Sequence, residues 1–163
     1  MEQKTKKKSP RLAEKLKKAV QNLNVDVFGY ESKVTKNIIT YFSKLSKETG
    51  ISQDGLIVRI FKDGTAIQVA VYNQGRCVKR IPVKELIVLF TNSEPSGLFT
   101  LEAKVLRGIG TFMAEFSETH HLNIAQLQIC ISTSHDKVWV KGYSGTAFIK
   151  DIPLGVLIKH FMQ

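Results

Sequence analysis

A chain of 163 residues, 43% apolar and with a net charge of +10, has room for one domain or two small ones around a sizeable core. No window approaches the roughly 18 apolar residues of a membrane span, and the basic N-terminus lacks the apolar segment and cleavage site of a secretory leader. Cys77 and Cys130, both inside apolar strand-like runs, read as buried free thiols in a reducing cytoplasm rather than as a disulfide or a metal pair.

The charge is unevenly spread. Residues 1–18 hold eight Lys/Arg against two Glu, whereas residues 97–163 hold six against five acidic residues. Residues 26–92 lie between, with ten against six. An excess of this size favours polyanionic partners. The lysine-rich stretch from Met1 to Ser9 has the composition of a disordered arm. Ser9-Pro10 then gives a helix start, and Leu12, Leu16, Val20 and Leu23 form one apolar stripe. Residues 1–25 are thus expected to form a basic arm and helix. Either the helix docks on the body as an ordinary amphipathic surface element, or its cations lie on phosphates or an anionic membrane.

The following helix carries Val34, Ile38, Tyr41, Phe42 and Leu45 on one face, and Gly50 is placed to stop it. Three strands come next. Leu56, Val58 and Ile60 alternate with Ile57, Arg59 and Phe61, and Asp63-Gly64 signals a hairpin. Ile67, Val69 and Val71 alternate with Gln68, Ala70 and Tyr72. A turn at Asn73-Gln74-Gly75 leads to a strand from Arg76 to Ile81, and Pro82 begins a short helix with Leu86, Ile87 and Phe90 on its apolar side. Ser93-Glu94-Pro95-Ser96 is a short connector.

The same order then recurs. Shifted by 71 residues, Asp26–Asn92 falls on Gly97–Gln163 without a gap and with 17 identities in 67 positions, where unrelated segments share roughly four, so an internal repeat is inferred. The expected fold is α+β, with two tandem pseudo-symmetric α-β-β-β-α repeats, residues 26–92 and 97–163, after the basic helix. Each repeat would put helices on one face of a three-stranded antiparallel sheet. The two sheets could join edge to edge, hiding one edge of each, or stack through their free faces.

Catalytic signals are sparse. His120-His121 are adjacent and point apart, and no zinc-type spacing of His or Cys occurs. His135-Asp136 falls on a hairpin, and His160 is expected to be exposed on the last helix. Gly108-Ile109-Gly110 lies within a helical pattern and lacks the remainder of a phosphate-binding loop, so close helix packing explains it better. No carboxylate pair stands out as an acid/base couple, and the expectation is a protein without catalysis, cofactor or metal.

The best binding constellation is the free sheet face. Trp139, Lys141 and Tyr143 stand at i, i+2 and i+4, hence on one side of a strand, and Phe148 with Lys150 alternates in the same way on the next. Gln68 and Tyr72 share that side in the first half, with Lys79 nearby, and Arg76 and Arg80 add charge on the other side of their strand. Aromatic platforms beside cations suit stacked bases and phosphates. The candidate nucleic-acid contacts are therefore Lys4, Lys6, Lys7, Lys8, Arg11, Lys15 and Lys18 in the arm, and Tyr72, Arg76, Lys79, Arg80, Trp139, Lys141, Tyr143 and Lys150 on the strands. DNA and RNA are both open. The alternative is a protein-interaction module or homodimer that buries the same aromatics. A basic membrane-surface protein is a third reading.

The α-β-β-β-α order is similar to that of the double-stranded-RNA-binding domain and of the two small signal-recognition-particle subunits that pair into an RNA-binding saddle. The residues depart from the first family's pattern. Lys62-Asp63-Gly64-Thr65 and Thr133-Ser134-His135-Asp136 stand where it has Gly-Pro-x-His, and Pro82-Val83-Lys84-Glu85 and Pro153-Leu154-Gly155-Val156 replace its lysine cluster. No binding residue carries over from a likeness of topology.

Overall fold

The computed structural model describes residues 9–91 and 98–161, with the side chains of 29–90 and 102–161. The chain divides into two compact units, residues 1–32 and 33–163. Helix α1 comprises Ser9–Thr49. It ends where Gly50, at a φ of +72°, donates its N–H to Ser46 O at 2.9 Å. That left-handed conformation is one glycine adopts without a Cβ penalty. Lys4, Lys6, Lys7 and Lys8 lie outside the described residues, as do the side chains of Arg11, Lys15 and Lys18.

Unit 33–163 is built on six strands: β1 (Ile57–Asp63), β2 (Ala66–Asn73), β3 (Arg76–Ile81), β4 (Leu127–Ser134), β5 (Lys137–Ser144) and β6 (Ala147–Asp151). They form one antiparallel sheet in the order β3-β2-β1-β4-β5-β6. The two three-stranded sets join edge to edge through β1 and β4, and do not stack. Arg59 faces Cys130 at the centre of that pairing, with Val58 opposite Ile131 and Ile60 opposite Ile129. Each hairpin turn has two residues at positive φ or a glycine among them: Gln74-Gly75 at +50° and +78°, His135-Asp136 at +52° and +63°. Positive φ at both central positions is the requirement of the turn whose twist matches that of paired strands, so His135 and Asp136 serve as turn residues.

Helices α2 (Val83–Thr91), α3 (Leu98–Thr119) and α4 (Leu154–Phe161) complete the unit. Pro82 and Pro153 sit immediately before α2 and α4, where a missing N–H costs nothing. Val34, Ile38, Phe42 and Leu45 of α1 are buried, as are Val105, Ile109, Met113 and Phe116 of α3. With Leu86, Ile87 and Phe90 of α2, and Leu157, Ile158 and Phe161 of α4, they cover the strand face formed by Leu56, Val58, Ile60, Val69, Leu127, Ile129, Ile131 and Val140. Phe90 and Phe161 meet at 5.0 Å between ring centres.

Gly108 allows α3 and α4 to approach: a Cβ placed there would lie 2.3 Å from the backbone oxygen of His160. Close packing is therefore the role of this glycine. Gly142 likewise makes room for the Phe116 ring, whose Cζ would be 2.7 Å from an added Cβ. Both cysteines are free, but only Cys130 is buried; Cys77 is exposed. The expectation fails for Cys77 because β3 is an edge strand with one residue, Ile81, buried.

Candidate functional site

Within unit 33–163 the helices occupy one face of the sheet. The other is read row by row, because directly paired residues of an antiparallel sheet point to the same side. Its middle row runs across all six strands as Arg80, Ala70, Arg59, Cys130, Lys141 and Asp151. On one side of it lies the row Gln68, Phe61, Gln128, Tyr143 and Phe148, and on the other Cys77, Tyr72, Ile57, Ser132 and Trp139. Trp139 is 46% and Phe148 52% exposed.

The middle row is low where it is not charged. Ala70 and Cys130, both buried, separate Arg80, Arg59 and Lys141. With strands about 4.8 Å apart, the three cations recur about every 10 Å. Each rests near an aromatic ring of a flanking row. The Arg59 guanidinium lies 4.1 Å from the centre of Tyr72, that of Arg80 5.9 Å from Phe61, and Lys141 Nζ 5.8 Å from Phe148. Arg80 also donates to Gln68 Oε1 at 3.3 Å. Among the described residues none of the three forms an ion pair with a carboxylate. Arg59 Nε is buried without a hydrogen-bond partner there. Burial pushes the neighbouring Cys130 thiol up to about 11, with Arg59 pulling the other way. Tyr143 packs edge-on to Phe148 at 5.7 Å.

Trp139, Lys141, Tyr143 and Tyr72 are brought together on this face as the alternation predicts. Lys79 and Lys150 are not, and Arg80 is on it rather than behind it. The cause is a pair of bulges. Between Val71 and Tyr72 the partner strand β3 gains one residue, and between Gly142 and Tyr143 the partner strand β6 does the same. An extra residue reverses the side to which the following positions point. Lys79 therefore turns to the helix side, where it pairs with Glu48 of α1 at 3.4 Å, and Lys150 lines a groove against α3 and α4. Arg76 is exposed at the end of β3, opposite Asn73. Arg59, Phe61 and Phe148 belong to the site and are missing from the expected contacts. Strict alternation along β1 already put Arg59 and Phe61 on the free side, but nothing local marked them as neighbours of Tyr72 and Arg80.

The groove that holds Lys150 encloses about 420 Å³ between α3, α4 and the end of β6. His160 is half-buried in it rather than exposed. Its Nδ1 is 2.9 Å from Val156 O, its Nε2 is 3.7 Å from Glu115, and its ring is edge-on to Phe112. Those contacts anchor His160 to α4 and α3. Among the described residues no group of three or more His, Cys, Asp or Glu could hold a metal ion, and no helix is long and apolar enough to cross a membrane. No protein-family model, curated protein or solved structure matches the chain, so the chemistry of the site rests on its own residues.

Proposed function

We propose that this chain is a non-catalytic nucleic-acid-binding protein whose contact surface is the helix-free sheet face, assisted by its basic N-terminal arm. One observation carries the reading. Arg80, Arg59 and Lys141 stand in a single row, among the described residues without an ion-paired carboxylate and with aromatic rings beside them. Cations on a folded surface that are neutralised from within make poor phosphate ligands; in this row the one carboxylate is Asp151, opposite Lys141 at the β6 end and not ion-paired with it. The rings offer stacking surface next to the charge. Two free thiols fit a reducing, cytoplasmic setting.

The architecture that goes with this reading is a duplicated unit, residues 26–92 and 97–163, related by an approximate two-fold axis. Several facts support it. β2 and β5 stand 71 positions apart over their full lengths, and both bulges occur at the same offset. Arg59 and Cys130, also 71 apart, face each other in the central pairing, and Phe90 and Phe161 meet in the helix layer. The axis would pass through both contacts.

The test is binding to DNA and RNA oligonucleotides and to anionic vesicles at two salt concentrations. Each cation that neutralises a phosphate contributes about 0.7 to the slope of log K against log salt on a single strand. Arg80→Glu with Lys141→Glu should therefore flatten that slope by about 1.4, and deletion of residues 1–18 should flatten it further. Unchanged slopes in both variants would remove the reading. The second reading, a protein-interaction module or homodimer, draws on the exposure of Trp139 and Phe148. Light scattering separates the two, since Trp139→Ala would then convert an oligomer to monomers.

A further inference from the structure

The geometry points to single-stranded nucleic acid as the ligand of this face, lying across the strands along the cation row with its bases turned onto the aromatic rows. This rests on the nucleic-acid reading above and narrows it. Trp139 and Tyr143 are four residues apart on β5, so the two aromatic rows stand about 13 Å apart, with the middle row halfway between them. That middle row is a trough in side-chain length only, because Ala70 and Cys130, both buried, are short between the longer cations.

A backbone laid in the trough would meet Arg80, Arg59 and Lys141 in turn. Bases splayed to either side would reach Tyr72 and Trp139, or Phe61 and Phe148. A duplex cannot use those rings, since its bases are stacked on one another and only their edges face outward. Aromatic faces become useful to a protein when the bases are unpaired. From β3 to β5, where the cations end, the row spans four strand spacings, about 19 Å, which suits the short end of the roughly 4–16 nucleotides that single-strand-binding sheets occupy. Asp151 at the β6 end of the row, beside Lys141, carries the opposite charge, so the backbone would leave the trough before that edge.

The full chain contains one tryptophan, so its fluorescence reports on this face directly. The full-length protein is titrated with a thymidine oligomer about eight nucleotides long and with a duplex of the same length, each end-labelled for anisotropy. The single strand should quench Trp139 and bind about tenfold or more tightly than the duplex. Trp139→Ala should lose about tenfold in single-strand affinity, while Trp139→Phe, which keeps a ring, should stay within a few-fold. Residue 139 is largely exposed, so neither change should disturb folding, and circular dichroism checks that. Equal or tighter duplex binding without quenching would overturn the single-strand assignment and leave the nucleic-acid reading standing. Binding by neither strand form would overturn both. Single-strand binding that Trp139→Ala leaves intact would overturn the placement of the ligand on this face.

Discussion

Gly108 is the residue at which local preference and packing disagree most openly. In an isolated helix, alanine is better than glycine by about 1 kcal/mol. Here the added methyl would be pressed against the main chain of α4, 2.3 Å from an oxygen that cannot rotate away. Overpacking of this kind costs about 1–3 kcal/mol, so Gly108→Ala should lower the urea midpoint despite its helical propensity. A raised midpoint would mean that α3 and α4 separate freely. Cys130 tests burial from another side. The folded thiol keeps its proton to about 11, whereas its ordinary value is 9.0. The stability that comes from burying it neutral is whole below the unfolded value and drains away as pH climbs toward 11. Native protein at neutral pH should therefore react with a thiol reagent once, at exposed Cys77, and a second time only after unfolding. Cys130→Ala should also flatten the fall in stability over that alkaline window.

At the level of elements, the β-bulges decide which side chains form the site. Strand periodicity in the sequence assigns Trp139, Lys141 and Tyr143 to one side of β5, and that assignment holds because β5 itself is regular. The same rule fails on β3 and β6, where one additional residue changes the parity midway. The loss is specific. Lys79 and Lys150 leave the face for the helix side, and Arg80 replaces them. Nothing in the Arg76–Ile81 sequence marks this bulge, because it contains neither glycine nor proline. The bulge exists only relative to the partner, as two residues set against one.

For the molecule as a whole, the join between β1 and β4 makes one broad sheet out of two narrow ones and places the cation row across it. Phe90 and Phe161, both fully buried, hold the helix layer together above that join. Truncating either to alanine should cost about 3–5 kcal/mol. Because the two rings touch, the double variant should cost less than the sum of the single ones, by about 0.5–1.5 kcal/mol for the aromatic contact. Strict additivity in denaturant melts would show that each ring packs into its own half, and that the two halves are held by the strands alone.

The sequence by itself determined the order of strands and helices in unit 33–163, the hairpin turns, the apolar face of the first two strands of each set and the recurrence at 71 residues. All of these are written in short-range patterns, such as a period of two, a period near 3.6 or a glycine in a turn, which a chain expresses before it meets any distant part of itself. The tertiary structure alone decided that β1 pairs with β4, that the third strand of each set carries a bulge, and that Arg59, Arg80 and Lys141 share a row. The pairing of β1 with β4 joins residues more than sixty positions apart, and a local pattern holds no record of which edge a strand will find; each bulge exists only as two residues set against one of the neighbouring strand.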